Sequence, residues 1–269
     1  MRKHIGSAAV TIAAPVVLLA AGCTTDPGEP TATSTPTQSE TATPTPTPTP
    51  SESPSETPTP TPTEEPLPES ADGRIREIPD RQWDKIVQTG VWRPECPAGR
   101  DQLRRVEINH HTWSGGVKRG VLVVNEDIAE SIVRIFTRLY DEGFPIRQMR
   151  PVEEFGGDVK ASLGADNTSA FNCRRPDQIN APVDKSPHAN GRAIDINPLE
   201  NPWVDLRCDC WTPSGKHKAR TPGKGKILEG GLVWRVFREE GWIWQNIKVP
   251  DYMHFDTGYP SEPYEDKQA

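Results

Sequence analysis

Apolar residues recur at helical spacing most clearly between Asn125 and Tyr140. Ile128, Ile132, Val133, Ile135, Phe136 and Leu139 follow Asn125, a residue suited to capping, and predict a helix over Glu126–Tyr140. A second helix is expected at Leu228–Glu239, with Val233, Trp234 and Phe237 inward and Gly241 ending it. Short strands are expected at Val106–Ile108 and Gly120–Val124, and another at Phe144–Met149, after Gly143. The run Ala193–Asn197 alternates, so a strand here sends Ile194 and Ile196 into a core and Asp195 to the opposite face. Met253 and Phe255 likewise alternate with His254 and Asp256. Mixed helices and short strands in this order predict an α+β fold, a single compact domain with a small antiparallel sheet.

The chain has 269 residues, 29 of them proline, and a net charge of −7, which lends no support to nucleic-acid binding. Its first seventy residues share none of this periodicity. Arg2, Lys3 and His4 precede an apolar, small-residue-rich stretch from Ile5 to Ala21, the pattern of a secretory signal peptide over residues 1–22. Leu19-Ala20-Ala21-Gly22-Cys23 resembles a bacterial lipobox, with the leucine one place further from the cysteine than is commonest. Cleavage there makes Cys23 a lipid-modified N-terminus that anchors the chain to the membrane. An uncleaved anchor is the alternative, against which Pro15 and the short apolar length both argue. Residues 23–70 are almost wholly Thr, Pro, Ser and Glu, with too little apolar surface to offset the entropy of ordering. They predict a disordered tether, biased to polyproline II, that reaches on the order of 100 Å at about 3.1 Å per residue. The folded domain is then expected over residues 71–269, its core over about residues 90–260.

The chemistry concentrates in two segments, Ser186-Pro187-His188-Ala189-Asn190-Gly191-Arg192-Ala193-Ile194-Asp195-Ile196 and Asp251-Tyr252-Met253-His254-Phe255-Asp256. Two histidines and an aspartate make a ligand set for a catalytic zinc, which takes three protein ligands and keeps a fourth position for water. Asp251, three residues before His254, stands where a general base for that water belongs. Pro187 and Gly191 suit a tight loop that returns His188 toward the Asp195 face, and two neighbouring strands can bring all three ligands to one point.

The pattern S-x-H-x-x-G-x-A-x-D-I with a later D-x-x-H-F resembles the VanY-type D-alanyl-D-alanine carboxypeptidases, zinc peptidases whose relatives include L-alanyl-D-glutamate endopeptidases. The resemblance implies one Zn2+ held by His188, Asp195 and His254, and Asp251 as base, where some relatives carry glutamate. It also implies a peptidoglycan stem peptide as substrate; the N-terminal segments place the enzyme outside the cytoplasmic membrane, lipid-anchored and tethered within the bacterial cell wall, and a monomer is expected. The family's oxyanion-stabilising arginine or glutamine has no exact counterpart: Asn172 stands at its position, and Arg174, two residues on and therefore on the same face of a strand, takes the role. An L-Ala–D-Glu endopeptidase, a non-catalytic wall-binding lipoprotein and an envelope scaffold are the competing readings. The loop from Asn197 to Lys226 is expected to shape the pocket that separates the two peptidases.

With Cys23 lipidated, Cys96, Cys173, Cys208 and Cys210 remain, and three pairings are open. The resemblance favours Cys96–Cys173, leaving Cys208 and Cys210 joined to each other or as thiols. A second zinc site from Cys208, Cys210 and His217 lacks the usual C-x-x-C spacing. His110 and His111 read as exposed turn residues, Trp242 and Trp244 as core, and Lys216–Lys226 as a solvated loop over one side of the site.

Overall fold

A computed structural model describes residues 68–174, 183–245, 248–266 and 268. The predicted signal peptide, Cys23 and the tether up to residue 67 lie outside the described residues.

Two long strands, β2 (Leu103–His111) and β3 (Val117–Asn125), form an antiparallel hairpin whose register runs from Leu103 opposite Asn125 to His111 opposite Val117. A short strand, β1 (Arg74–Arg76), pairs with the outer side of β2. The inward positions Val106, Ile108, Leu122 and Val124 are fully buried beneath helix α2 (Ala129–Asp141), which contributes Ile132, Ile135, Phe136 and Leu139. Burying each such side chain stabilises the fold by about 1.5–3 kcal/mol. The expected helix is present, but it enters through a 3₁₀ turn at Glu126–Ile128, where the Asn125 side chain accepts a hydrogen bond from the Asp127 amide at 3.4 Å.

A second group of buried residues includes Ile86 on helix α1 (Asp80–Gln88), Leu103, Val123, Val152, Phe171 and Ala189. It fixes the other end of the hairpin to the turn that carries His188. The parallel pair β4 (Gln148–Met149) and β5 (Asn167–Thr168), with helix α3 (Val159–Gly164) between them, leads into the site.

The site sheet has the order β6 (Ala193–Asp195), β10 (His254–Asp256), β9 (Ile243–Trp244) and is antiparallel throughout. Its back is closed by helix α4 (Leu232–Glu239), whose Phe237 stacks on Phe255 at 4.0 Å between ring centroids. Trp242 is buried edge-on to Phe237, with its indole N–H donating to Ser131 Oγ at 3.0 Å. Between β6 and α4 lies the hairpin of β7 (Trp203–Asp205) and β8 (Cys210–Thr212). The α+β architecture and the small antiparallel sheet are as expected.

Several boundaries differ from the sequence reading. β2 runs on through His110 and His111, and His110 is buried, because the chain reverses only at Thr112–Gly116, where the Thr112 amide donates to the Gly116 carbonyl at 2.7 Å. The strand expected at Phe144–Met149 is reduced to Gln148–Met149: Pro145 has no N–H to give a ladder, and only an isolated bridge to His111 forms there. Helix α4 starts at Leu232, not Leu228, because Gly230, at φ +71°, and Gly231 form the turn before it. The segment Lys216–Lys226 is not simply solvated. It contains a 3₁₀ turn at Gly215–His217, and Arg220 donates to the Glu200 carbonyl at 2.7 Å and to Asn201 Oδ1 at 3.0 Å.

Candidate metal centre and its cleft

The register of the site sheet sets Asp195 directly opposite His254. With Ile194 and Phe255 turned into the core, both polar side chains face the other way, as alternation requires. His188 reaches the same point from a tight turn. The Arg192 amide donates to the Pro187 carbonyl at 2.8 Å, the Gly191 amide to the His188 carbonyl at 3.1 Å, and Asn125 donates through Nδ2 to the Asn190 carbonyl at 2.9 Å. Gly191 is required there: its φ is +71°, and a Cβ would sit 2.7 Å from the Asn125 amide nitrogen.

Three ligand atoms converge. His188 Nε2 and His254 Nδ1 are 3.2 Å apart, His254 Nδ1 and Asp195 Oδ1 3.2 Å, and His188 Nε2 and Asp195 Oδ1 3.3 Å. A tetrahedral zinc with bonds of about 2.0–2.1 Å separates its ligands by about 3.3–3.4 Å, so this triangle fits such an ion. The outer ring nitrogens fix the tautomers. His188 Nδ1 donates to the Ala170 carbonyl at 2.7 Å, and His254 Nε2 to Asp256 Oδ2 at 2.9 Å, which turns both remaining lone pairs inward. The three residues could hold a metal ion.

The electrostatics also favour a positive charge at the centre. Burial pushes the Asp195 carboxyl up, but the His188 and His254 rings outweigh it and hold it well below its ordinary value. Burial opposes the charged His254 ring, yet Asp195 and Asp256 raise it well above the usual histidine range. Without a cation the cluster draws in a proton; a bound metal replaces that proton and releases it.

Asp251 lies in the loop before β10, bridged to Trp203. Its Oδ1 is buried without a hydrogen-bond partner among the described residues, and burial pushes the carboxyl up to about 7. The Arg174 Nη2 is 3.6 Å from Asp195 Oδ2, and its buried Nε also lacks a partner among the described residues. The chain beside it is held by Arg93, whose Nη1 donates to the Cys173 carbonyl at 2.6 Å, and by the Cys96–Cys173 disulfide. Cys208 and Cys210 are joined to each other, which removes the thiolates that a second zinc site with His217 would need.

All five residues line one cleft of about 700 Å³. Its walls are largely apolar, with Leu163, Val204, Leu206, Val249 and Tyr259 among them. The wall on the loop side comes from Trp203–Arg207 and not from Lys216–Lys226, which contributes nothing to the lining. Sequence reasoning gave Asp256 no role, although its place two residues after His254 on one strand face was a usable signal. The Ala170 carbonyl left no signal at all, since any residue supplies one.

Residues 180–257 match the family model described as D-alanyl-D-alanine carboxypeptidase. The match covers less than a third of the chain, yet it holds His188, Asp195, Asp251 and His254; Arg174 and the Cys96–Cys173 disulfide fall before it. Searches of curated proteins and of solved structures found no match. The matched segment and the ligand triangle together support a peptidase with a metal site.

Proposed function

We propose that this protein is a zinc peptidase that hydrolyses peptidoglycan stem peptides, of the VanY-type D,D-carboxypeptidase kind. The observation that carries the reading is the triangle of inward lone pairs on His188, Asp195 and His254 beside Asp251, whose buried Oδ1 has no hydrogen-bond partner among the described residues.

Zinc, when bound, polarises a scissile carbonyl and lowers the pKa of its water to about 7. The residues supply the rest. His188, Asp195 and His254 hold the ion, and Asp256 orients His254. Asp251 takes a proton from the attacking water and delivers it to the leaving amine. Arg174, a half-buried cation on the cleft wall whose Nη2 lies 3.6 Å from Asp195 Oδ2, supplies positive charge to the developing oxyanion. The apolar walls keep bulk water from the reacting carbonyl and strengthen each of these interactions.

Its place of work follows from the N-terminal sequence: lipidation at Cys23 anchors a monomeric enzyme outside the cytoplasmic membrane, and the Thr/Pro-rich tether carries residues 71–269 into the wall. Digestion of purified peptidoglycan by the full-length protein, with products read by mass spectrometry, tests the reading. Release of free D-alanine is expected. New D-Glu amino termini would make it an L-Ala–D-Glu endopeptidase instead. Zinc-loaded protein that releases nothing would leave a wall-binding lipoprotein.

A further inference from the structure

Asp251 is not on a strand of the site sheet, and a separate hairpin holds the loop that carries it. β7 runs beside residues 250–252: the Val204 amide donates to the Pro250 carbonyl at 2.8 Å, and the Tyr252 amide to the Pro202 carbonyl at 3.3 Å. The Asp251 amide itself donates to Gln245 Oε1 at 3.2 Å. The next residue, Tyr252, is gripped by three side chains. Trp211 on β8 stacks on its ring at 5.6 Å and 23°, the Arg220 guanidinium lies 4.1 Å over it, and Trp244 approaches at 6.2 Å. The Trp244 indole N–H also donates to the Tyr252 carbonyl at 3.0 Å. Tyr252 and Met253 form a turn closed by the His254 amide donating to the Asp251 carbonyl at 3.3 Å, so a ring held at Tyr252 fixes the backbone from which the neighbouring Asp251 carboxyl projects. Asp251 lines the cleft and Tyr252 does not. The metal ligands sit on other supports, the β6–β10 ladder and the Gly191 turn.

We infer that the β7–β8 hairpin, acting through Trp211 stacked on Tyr252, is the positioning device for the general base and works separately from the metal ligands. The inference rests on the zinc-peptidase reading above, since it takes Asp251 as the base. Trp211 is a positioning residue: it is not among the residues that line the cleft, and it reaches Asp251 only through Tyr252. Arg220 completes the grip, and its bonds to Glu200 and Asn201 tie it to the chain just after β6. The Cys208–Cys210 bond closes the tip of the same hairpin.

The test is Trp211→Ala in the full-length, zinc-loaded protein. A misplacement of about 1 Å costs about a hundredfold in rate, so kcat is expected to fall about 10–100-fold. KM and zinc affinity, the latter from competition with a chromophoric chelator, stay within about threefold of the parent. The Tyr252 amide exchanges about tenfold faster, reporting the loosened strand pairing. Trp211→Phe keeps a ring on Tyr252 and recovers most of kcat. Should Trp211→Ala misfold, Tyr252→Leu removes the same stack from the other side. A Trp211→Ala kcat within twofold of the parent overturns the inference, as does loss of zinc in step with kcat or full protection of the Tyr252 amide. If the unmodified protein binds zinc but cuts no stem peptide, the peptidase reading fails instead, and amide exchange still decides whether the hairpin holds the Asp251 segment.

Discussion

The β1–β2–β3 and β6–β10–β9 sheets are both three-stranded and antiparallel, but they bury opposite kinds of residue. In the first, two nine-residue strands put Val106, Ile108, Leu122 and Val124 under α2. In the second, strands of two or three residues carry Asp195, His254 and Asp256 on one face, with His188 set against them, all 6 % exposed or less. Burying such groups costs the fold unless each is paired. The site sheet offsets that cost through its back face, where Phe255 stacks on Phe237, and through the acceptors that hold the outer histidine nitrogens. The chemistry is thus confined to one face of the second sheet, while the first sheet serves stability alone, and changes to the site face and to the first sheet should have separable effects.

The largest effect belongs to the ligands. His188→Ala, Asp195→Ala and His254→Ala should each abolish stoichiometric zinc binding, measured as metal content after dialysis, while the protein stays folded on the first sheet. Asp251→Asn should keep the metal and lower kcat by about 10²–10⁴; full activity in that variant would remove Asp251 from the mechanism. Ile108→Ala should do the reverse. Denaturant titration should show a loss of about 2–5 kcal/mol, with zinc content per folded molecule unchanged.

The smallest effect concerns Glu200, buried beside Asp166 in the turn that leaves β6. Burial first, and then the Asp166 carboxyl, push Glu200 up to about 7 from its ordinary 4.5. A carboxyl raised in the fold is accommodated while neutral and costs stability once ionised. Its penalty therefore grows as pH rises from about 4.5 to about 7 and persists above. Glu200→Gln should remove that penalty, so the variant gains about 1–3 kcal/mol on the parent between pH 5 and pH 8. A gain that does not change with pH would show that Glu200 is not titrating in this range.

The same contrast explains what could be read in the chain. The cluster of His188, Asp195 and His254 was legible because ligand chemistry restricts residue type and, for Asp195 and His254, strand alternation restricts which face they take. The helix at α2 was legible because six apolar residues repeat on one face. His110 was misread, although Val106, Ile108 and His110 keep a period of two: a histidine pair followed by Thr112-Trp113-Ser114-Gly115 resembles a turn, and only the hairpin register shows that the strand continues. The hairpin that walls the cleft left almost no signal, since Trp203–Asp205 and Cys210–Thr212 are three-residue strands defined by their partners across the turn. Its contact with residues 250–252 joins a backbone pairing to the stack of Trp211 on Tyr252, two rings forty-one positions apart that no local periodicity links.

The most direct trial of the zinc-peptidase account is reconstitution. Full-length protein stripped of metal by a chelator should lose hydrolysis of peptidoglycan stem peptides and regain it on titration with zinc, saturating at one equivalent per chain. Hydrolysis that survives removal of all metal, or zinc that binds at one equivalent and restores nothing, would contradict the assignment of this cluster as a catalytic centre.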